Sequence, residues 1–342
     1  MSPYDVVGDR RNRGELFVTA AETTTRTYAE LFDAIRLNVG QVVRGKDEAI
    51  RLSILCLVAE GHCLVEDAPG VGKTTLAKAL ARSVDGTFGR IQFTPDLLPA
   101  DVVGTSIWNR TSGSFEFRRG AIFHSIVLAD EINRASPKTQ SALLEAMAER
   151  QVTVDGTTHD LERPFLVVAT QNPLDHEGTY PLPESQLDRF LMRISIGYPA
   201  PEAELELLTS HGINDDAEIL ASIGPVVSTT EVQGMIHAVH RVHVDPAIRR
   251  YLVELATASR RHPSLALGAS PRAVLSLQRA AQAHAAAGGR TFVTPDDIKY
   301  LAGPVLTHRL VISPEAMLKG TDAGVVVREL LERVPVPPGS VG

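Results

Sequence analysis

Gly70, Gly72, Lys73 and Thr74 fall within one short stretch, and these residue types at this spacing suit the binding of a polyphosphate. Glycines let backbone N–H groups turn inward around phosphate oxygens, and a helix starting there adds the partial positive charge of its N-terminus. The full run, Ala68-Pro69-Gly70-Val71-Gly72-Lys73-Thr74-Thr75, follows the apolar Cys63-Leu64-Val65 and opens an alanine- and leucine-rich segment. That is the strand, loop and helix order of a phosphate-binding loop, in which Lys73 reaches the β- and γ-phosphates and the Thr74 hydroxyl ligates Mg²⁺. The spacing therefore predicts binding of a nucleoside triphosphate with Mg²⁺. One position departs from the G-x-x-x-x-G-K-[ST] pattern, because Asp67 stands where the first glycine belongs. Aspartate tolerates left-handed backbone angles, which would let the turn survive.

Further along, Ile126-Val127-Leu128-Ala129 reads as a buried strand and ends in Asp130-Glu131. On the phosphate-loop reading, Asp130 holds Mg²⁺ through its water shell and Glu131 orients and activates the water that attacks the γ-phosphate. An acidic pair after an apolar run is common by chance; its place downstream of a phosphate loop gives it weight. Pro164 to Thr170 forms another apolar strand, followed by Gln171-Asn172-Pro173. Ligands of open α/β sheets bind beyond the carboxyl ends of the strands. Asn172 is therefore a candidate to hydrogen-bond the γ-phosphate or the lytic water, against the plainer role of a turn residue before proline. Val42-Val43-Arg44-Gly45-Lys46 is an apolar turn in which Val43 and Gly45 either wall an adenine pocket or only connect two helices.

A parallel sheet is needed to gather these groups, and the remaining pattern supplies one. Apolar residues recur at helical spacing over Tyr28–Leu37 and Asp47–Ala59, and Phe88 to Phe93 reads as a second strand. Ser106–Asn109 with Ser114–Arg118 alternates as a hairpin, and Val152 to Leu161 makes another around Asp155-Gly156, a strong hairpin-turn signal. From about Ala203 the character changes to capped helices beginning at Asp245-Pro246, Ser270-Pro271 and Thr294-Pro295, with a capping-box spacing at Ser228 and Glu231. The expected fold class is α/β, with a nucleotide-binding core over 27–200 that carries two β-hairpin insertions. A smaller all-α lid follows over 201–333, between an N-terminal extension over 1–26 and a proline-rich tail over 334–342.

Composition narrows the function classes. Of 342 residues, 44% are apolar and 22% charged, ordinary for a soluble globular protein. No long uncharged apolar run predicts a transmembrane segment and the first residues lack a signal-peptide core, so a cytoplasmic location is the expectation. The only cysteines, Cys56 and Cys63, both sit in apolar surroundings and read as reduced buried thiols. A net charge of −7 weighs against nucleic acid as the main partner.

Longer strings carry a resemblance. Asp67 to Thr75, Asp130-Glu131, Asn172 and the helical second domain resemble an AAA+ ATPase. Arg90 to Pro99, Asp130 to Ala135, Gln140 to Met147, Ala169 to Pro173 and Pro181 to Phe190 are similar to the MoxR family, over roughly Val39 to His308. The Glu-Asp-x-Pro-Gly form of the phosphate loop is also usual in that family. The resemblance implies ATP as the nucleotide and assembly into a ring, commonly a hexamer, with ATP at the subunit interface. It implies that Arg189 is an arginine finger for the neighbouring site, with Arg193 as its nearest rival, and that Arg272 is the sensor of the lid. The two hairpins correspond to the insertions of the MoxR and chelatase-like branch, and our expectation is that they face the ring axis and transmit nucleotide state to a client; the resemblance also implies a chaperone-like remodeller that matures partner complexes or inserts metal cofactors. Such proteins commonly work beside a separate protein with a von Willebrand factor A domain. A motor on nucleic acid is the alternative, disfavoured by charge and by the lack of an aromatic or basic single-strand platform. A small-molecule kinase is a further one, which leaves the hairpins and lid without a purpose.

Overall fold

The computed structural model describes residues 26–172, 178–198 and 220–337. The extension before residue 26, Pro173, the core–lid boundary at residue 201 and the end of the tail lie outside them. Five strands form a wholly parallel sheet: β1 (Cys63–Glu66), β2 (Phe88–Gln92), β5 (Ile126–Asp130), β8 (Leu166–Gln171) and β9 (Met192–Ile194), in the order β2-β5-β8-β1-β9. Ile126 to Ala129 and Leu166 to Thr170 are entirely buried, which explains why these central strands read as continuous apolar runs rather than alternating ones. All five strands run the same way, so their carboxyl ends line one edge and their amino ends the other.

The helices α1 (Tyr28–Gly40), α2 (Asp47–Val58), α3 (Lys73–Ser83) and α5 (Pro137–Glu149) pack around the sheet, with the short α4 (Pro99–Val103) before the first insertion. Thr27 and Glu30 form a full capping box at the start of α1, and Ser136 caps α5. Both predicted insertions are antiparallel hairpins, β3 (Gly104–Asn109) with β4 (Ser114–Arg119) and β6 (Gln151–Val154) with β7 (Thr157–Asp160). Asp155 and Gly156 take φ of 49° and 78° at the second turn, as a two-residue hairpin loop requires. The hairpins meet where Phe117 stacks on His159, with ring centroids 3.9 Å apart.

The short α6 (Glu184–Leu187) precedes β9. Beyond it the lid is helical: α7 (Thr229–Arg241), α8 (Pro246–Arg260), α9 (Pro271–Ala287), α10 (Pro295–Leu306), α11 (Pro314–Leu318) and α12 (Ala323–Arg333), with the small pair β10 (Leu265–Leu267) and β11 (Val311–Ile312). The starts at Asp245, Ser270 and Thr294 are where the sequence places them, and Ser228 and Glu231 close the predicted box. One hydrophobic cluster runs from α1 and α2 through β1 and α3 into the lid as far as Val334. Arg26 adds a bond to the Val226 carbonyl and an ion pair with Glu231, so the first helix ties lid to core. Cys56 and Cys63 are free and buried, as expected.

Candidate active site

Gly70 and Gly72 take φ of 82° and 91°, and Gly72 is the residue before α3. A Cβ would meet nothing within 4 Å at either position, so what excludes other residues is the left-handed backbone and not crowding. Lys73 Nζ donates to the Asp67 carbonyl at 2.6 Å. Burial pushes the pKa of Lys73 down, and the charges of Asp67, Asp130 and Glu131 oppose that push. The turn at Asp67 forms without left-handed backbone angles there, since Asp67 is not among the positive-φ residues. Its carboxylate instead accepts from the Ser195 hydroxyl and from the backbone N–H groups of Ile196 and Gly197. Aspartate thus stands in the glycine position as a tie between the loop and the end of β9.

The acidic pair sits at the carboxyl end of β5. Asp130 Oδ1 accepts from the Thr170 hydroxyl at 2.6 Å and Oδ2 from Arg90 at 2.6 Å. Glu131 leaves the strand at φ 57°, ψ 50°, and its N–H donates to the Thr170 hydroxyl at 2.8 Å. A left-handed glutamate costs of order 1 kcal/mol, and such strain collects where a side chain must be aimed. Its carboxylate accepts from Gln92 and from Arg134, each at 3.0 Å.

Pro69, Gly70, Gly72, Lys73, Thr74 and Thr75 share one cleft of about 550 Å³ with Asp130, Glu131, Asn172, Arg90, Gln92 and Thr170. Nine predicted residues are thereby brought together: six from the loop, the acidic pair and Asn172. Ala68 and Val71 flank the loop, Val71 packing against the core. Val43 is buried in that core and Gly45 makes a left-handed turn, and neither lines this cleft. Arg90, Gln92 and Thr170 were not singled out from the sequence. Arg90 and Gln92 end a strand whose register with β5 sets Gln92 against Asp130, a relation that no local pattern announces.

Among the described residues no group of three or more His, Cys, Asp or Glu could hold a metal ion. Mg²⁺ takes hard oxygen donors, keeps several waters and binds through one or two protein groups plus phosphate, and the side chains of Thr74 and Asp130, which line the loop cleft, carry oxygens of that kind.

Arg189 and Arg272 are not in this cleft. They line a second one, of about 1190 Å³, together with Gly61 and His62 before β1 and Leu191 before β9. It therefore opens at the amino edge of the sheet, whereas the loop cleft opens at the carboxyl edge. Arg189 donates to the Leu144 carbonyl at 2.6 Å. Arg150, Arg163 and Arg279 also line the cleft. Glu60, on its floor, pairs with Arg150 at 2.6 Å and Arg163 at 3.3 Å. The rival Arg193 lies within β9 and pairs with Glu66 at 3.0 Å.

Comparison with known proteins decides the family. Residues 62–192 match the ATPase family associated with various cellular activities (AAA), and residues 257–330 match the AAA lid domain. The chain is 41% identical to Chaperone MoxR1 of Mycobacterium tuberculosis, over 93% of this chain and 84% of that one. The chain belongs to the MoxR family of AAA ATPases. Its identity to YeaC of Bacillus subtilis is 49%, over 88% of this chain and 93% of the other. A crystallised candidate ATPase from Cytophaga hutchinsonii superposes with a TM-score of 0.84 at 38% identity, covering 91% of this chain and 96% of that one. The MoxR-family protein is thus an ATPase with an α/β AAA core, antiparallel hairpins and a helical lid, and none of its helices is long and apolar enough to cross a membrane among the described residues.

Proposed function

We propose that this MoxR-family ATPase works as a ring, hexameric as the resemblance implies, in which ATP held by one subunit's loop is completed by Arg189 and Arg272 of the next. The observation that carries the reading is the separation of the two clefts: the loop cleft and the arginines open at opposite edges of one sheet. Repeating the subunit around a ring sets the amino edge of one against the carboxyl edge of another, a heterologous contact that closes by rotation.

Within the loop cleft, the backbone at Gly70 and Gly72 and the Lys73 ammonium bind the β- and γ-phosphates. Thr74 and, through water, Asp130 would hold Mg²⁺, which would supply neutralising positive charge to the phosphates. Glu131 accepts a proton from the attacking water and Asn172 orients it or the γ-phosphate. Gln92 and Arg134 both donate to Glu131 Oε2, so Oε1 is the oxygen that takes the proton. Arg189 stabilises charge on the transferring group, an effect of about 10³ to 10⁵ in rate for arginine fingers.

The work done is chaperone-like remodelling or maturation of partner complexes, including insertion of a metal cofactor, together with a separate von Willebrand factor A domain protein. The name of the mycobacterial relative, Chaperone MoxR1, supports the first half of that reading. The hairpins are the proposed client-facing parts, turned to the ring axis. One observation favours the nucleic-acid alternative more than the sequence did: Trp108 and Phe115, 51% and 71% exposed, pack edge to face on the first hairpin. Exposed Arg110, Arg118 and Arg119 flank them. Salt-sensitive micromolar binding of single-stranded DNA, lost in Trp108→Ala, would favour that motor over a protein remodeller.

The primary test is steady-state ATP hydrolysis per subunit against protein concentration. Specific activity that rises with concentration and then saturates is the expected result. Activity that stays flat down to concentrations at which the protein sediments as a monomer would sink the shared site.

A further inference from the structure

The segment that carries Arg189 is gripped by the lid. Arg309, in the turn after α10, is 5% exposed, and its guanidinium reaches back to the core. Nε donates to Asp188 Oδ1 at 2.7 Å. Nη2 donates to the carbonyls of Asp188 at 3.2 Å and Phe190 at 2.6 Å, and Nη1 to that of Leu191 at 3.0 Å. The chain from 188 to 191 is therefore wrapped around a buried lid cation, with Arg189 inside the wrap.

On its other oxygen, Asp188 accepts from the Ser270 hydroxyl at 3.0 Å. The same hydroxyl accepts from the Ala273 N–H at 3.0 Å and so caps α9, the helix whose first turn holds Arg272. One carboxylate thus joins the segment bearing Arg189 to the segment bearing Arg272. Buried ion pairs add little net stability, since desolvation offsets their attraction; a fixed register is the better-attested return.

We infer that Asp188, Ser270 and Arg309 are positioning residues that lock Arg189 and Arg272 into one two-cation unit, so that the lid and the finger segment move together against a neighbour's γ-phosphate. The inference rests on the shared-site reading above. It predicts that damage to Asp188 acts only through the arginines, and that it acts on the neighbour's turnover and not on nucleotide binding by the same chain.

The test is a double-mutant cycle on the full-length protein, with ATP hydrolysis as the readout. Asp188→Asn keeps the side chain's shape and removes its charge, and should lower kcat about tenfold with KM for ATP within about twofold. In an Arg189→Ala, Arg272→Ala background the same substitution should change kcat by less than about twofold, because neither cation remains to be held. Ser270→Gly retains most of the helix cap and should repeat the pattern at roughly threefold. Equal losses in both backgrounds, a rise in KM in place of a fall in kcat, or no loss at all would each overturn the inference. If Arg189→Ala itself left kcat intact, the shared site would fall with it, and that result is read independently of the Asp188 step.

Discussion

The two edges of the sheet are built in different ways. The carboxyl edge is assembled from strand ends, each delivering its chemistry within a residue or two of a regular element: Gly72 and Lys73 at the start of α3, Asp130 at the end of β5, Thr170 near the end of β8. The amino edge is assembled from residues far apart in the chain, with Asp188 joined to Ser270 and Arg309 across the core–lid junction. The hydrogen bonds described at the first edge all lie within the core. The second draws on bonds from the lid, which makes it the more easily disturbed.

Lys73→Ala should have the largest effect on the carboxyl edge, removing the cation that meets the phosphates and with it measurable ATP binding by calorimetry. Glu131→Gln should bind ATP normally and turn it over about 10²-fold or more slowly, since only water activation is lost. Equal loss of binding in both variants would mean that Glu131 holds the nucleotide, and the division of labour drawn for this edge would be wrong.

Arg189→Ala should strike the amino edge with a fall in kcat of about 10³ and little change in ATP affinity. Mixing it with Lys73→Ala subunits should restore part of the activity, because each variant supplies the edge that the other lacks. Absence of any restoration would move Arg189 to a role within its own subunit.

Acid should weaken the amino edge selectively. His62 lines that cleft, and burial pushes its pKa down to about 4; Nδ1 accepts from the Val167 N–H and Nε2 donates to the Met147 carbonyl. His308, which donates to the Phe190 carbonyl beside Arg189, is pushed down by burial as well. A depressed histidine binds fewer protons folded than unfolded, so its stabilisation is complete above the unfolded value and lost as pH falls from 6.5 to about 4. For His62 that amounts to about 3 kcal/mol. Urea unfolding at pH 8, 6 and 5 should show this fall, reduced in His62→Gln; constant stability down to pH 5 would contradict the burial argument.

The contrast between the edges also explains what was legible in the sequence. The phosphate loop, Asp130-Glu131 and the Asp155-Gly156 turn were readable because each is contiguous and each residue type answers a local backbone demand. The role of Asp67 was not legible, since its partners Ser195, Ile196 and Gly197 lie about 130 residues further along the chain. Arg272 was legible only through the family resemblance, and only the fold shows that it shares a cleft with Arg189 and not with Lys73. Arg309 carries no local signal, because its carboxylate partner lies 121 residues away.

Thr170 offers the mildest probe of the same contrast. Its hydroxyl donates to Asp130 Oδ1 and accepts from the Glu131 N–H, so one side chain orients both carboxylate-bearing residues from the neighbouring strand. Thr170→Val keeps the branched shape and β-propensity but removes both bonds, leaving a half-buried carboxylate and a left-handed backbone without that anchor. A loss of about tenfold in kcat is expected, near the 1.4 kcal/mol that one lost hydrogen bond at a charged group represents. ATP affinity without Mg²⁺ should be unchanged, because Lys73 and the glycine backbone are untouched. In combination with Arg189→Ala the two losses should multiply, since the edges share no contact through this residue. A combined loss no greater than that of Arg189→Ala alone would mean that the edges communicate through β8, and the separation drawn between them would have to be abandoned.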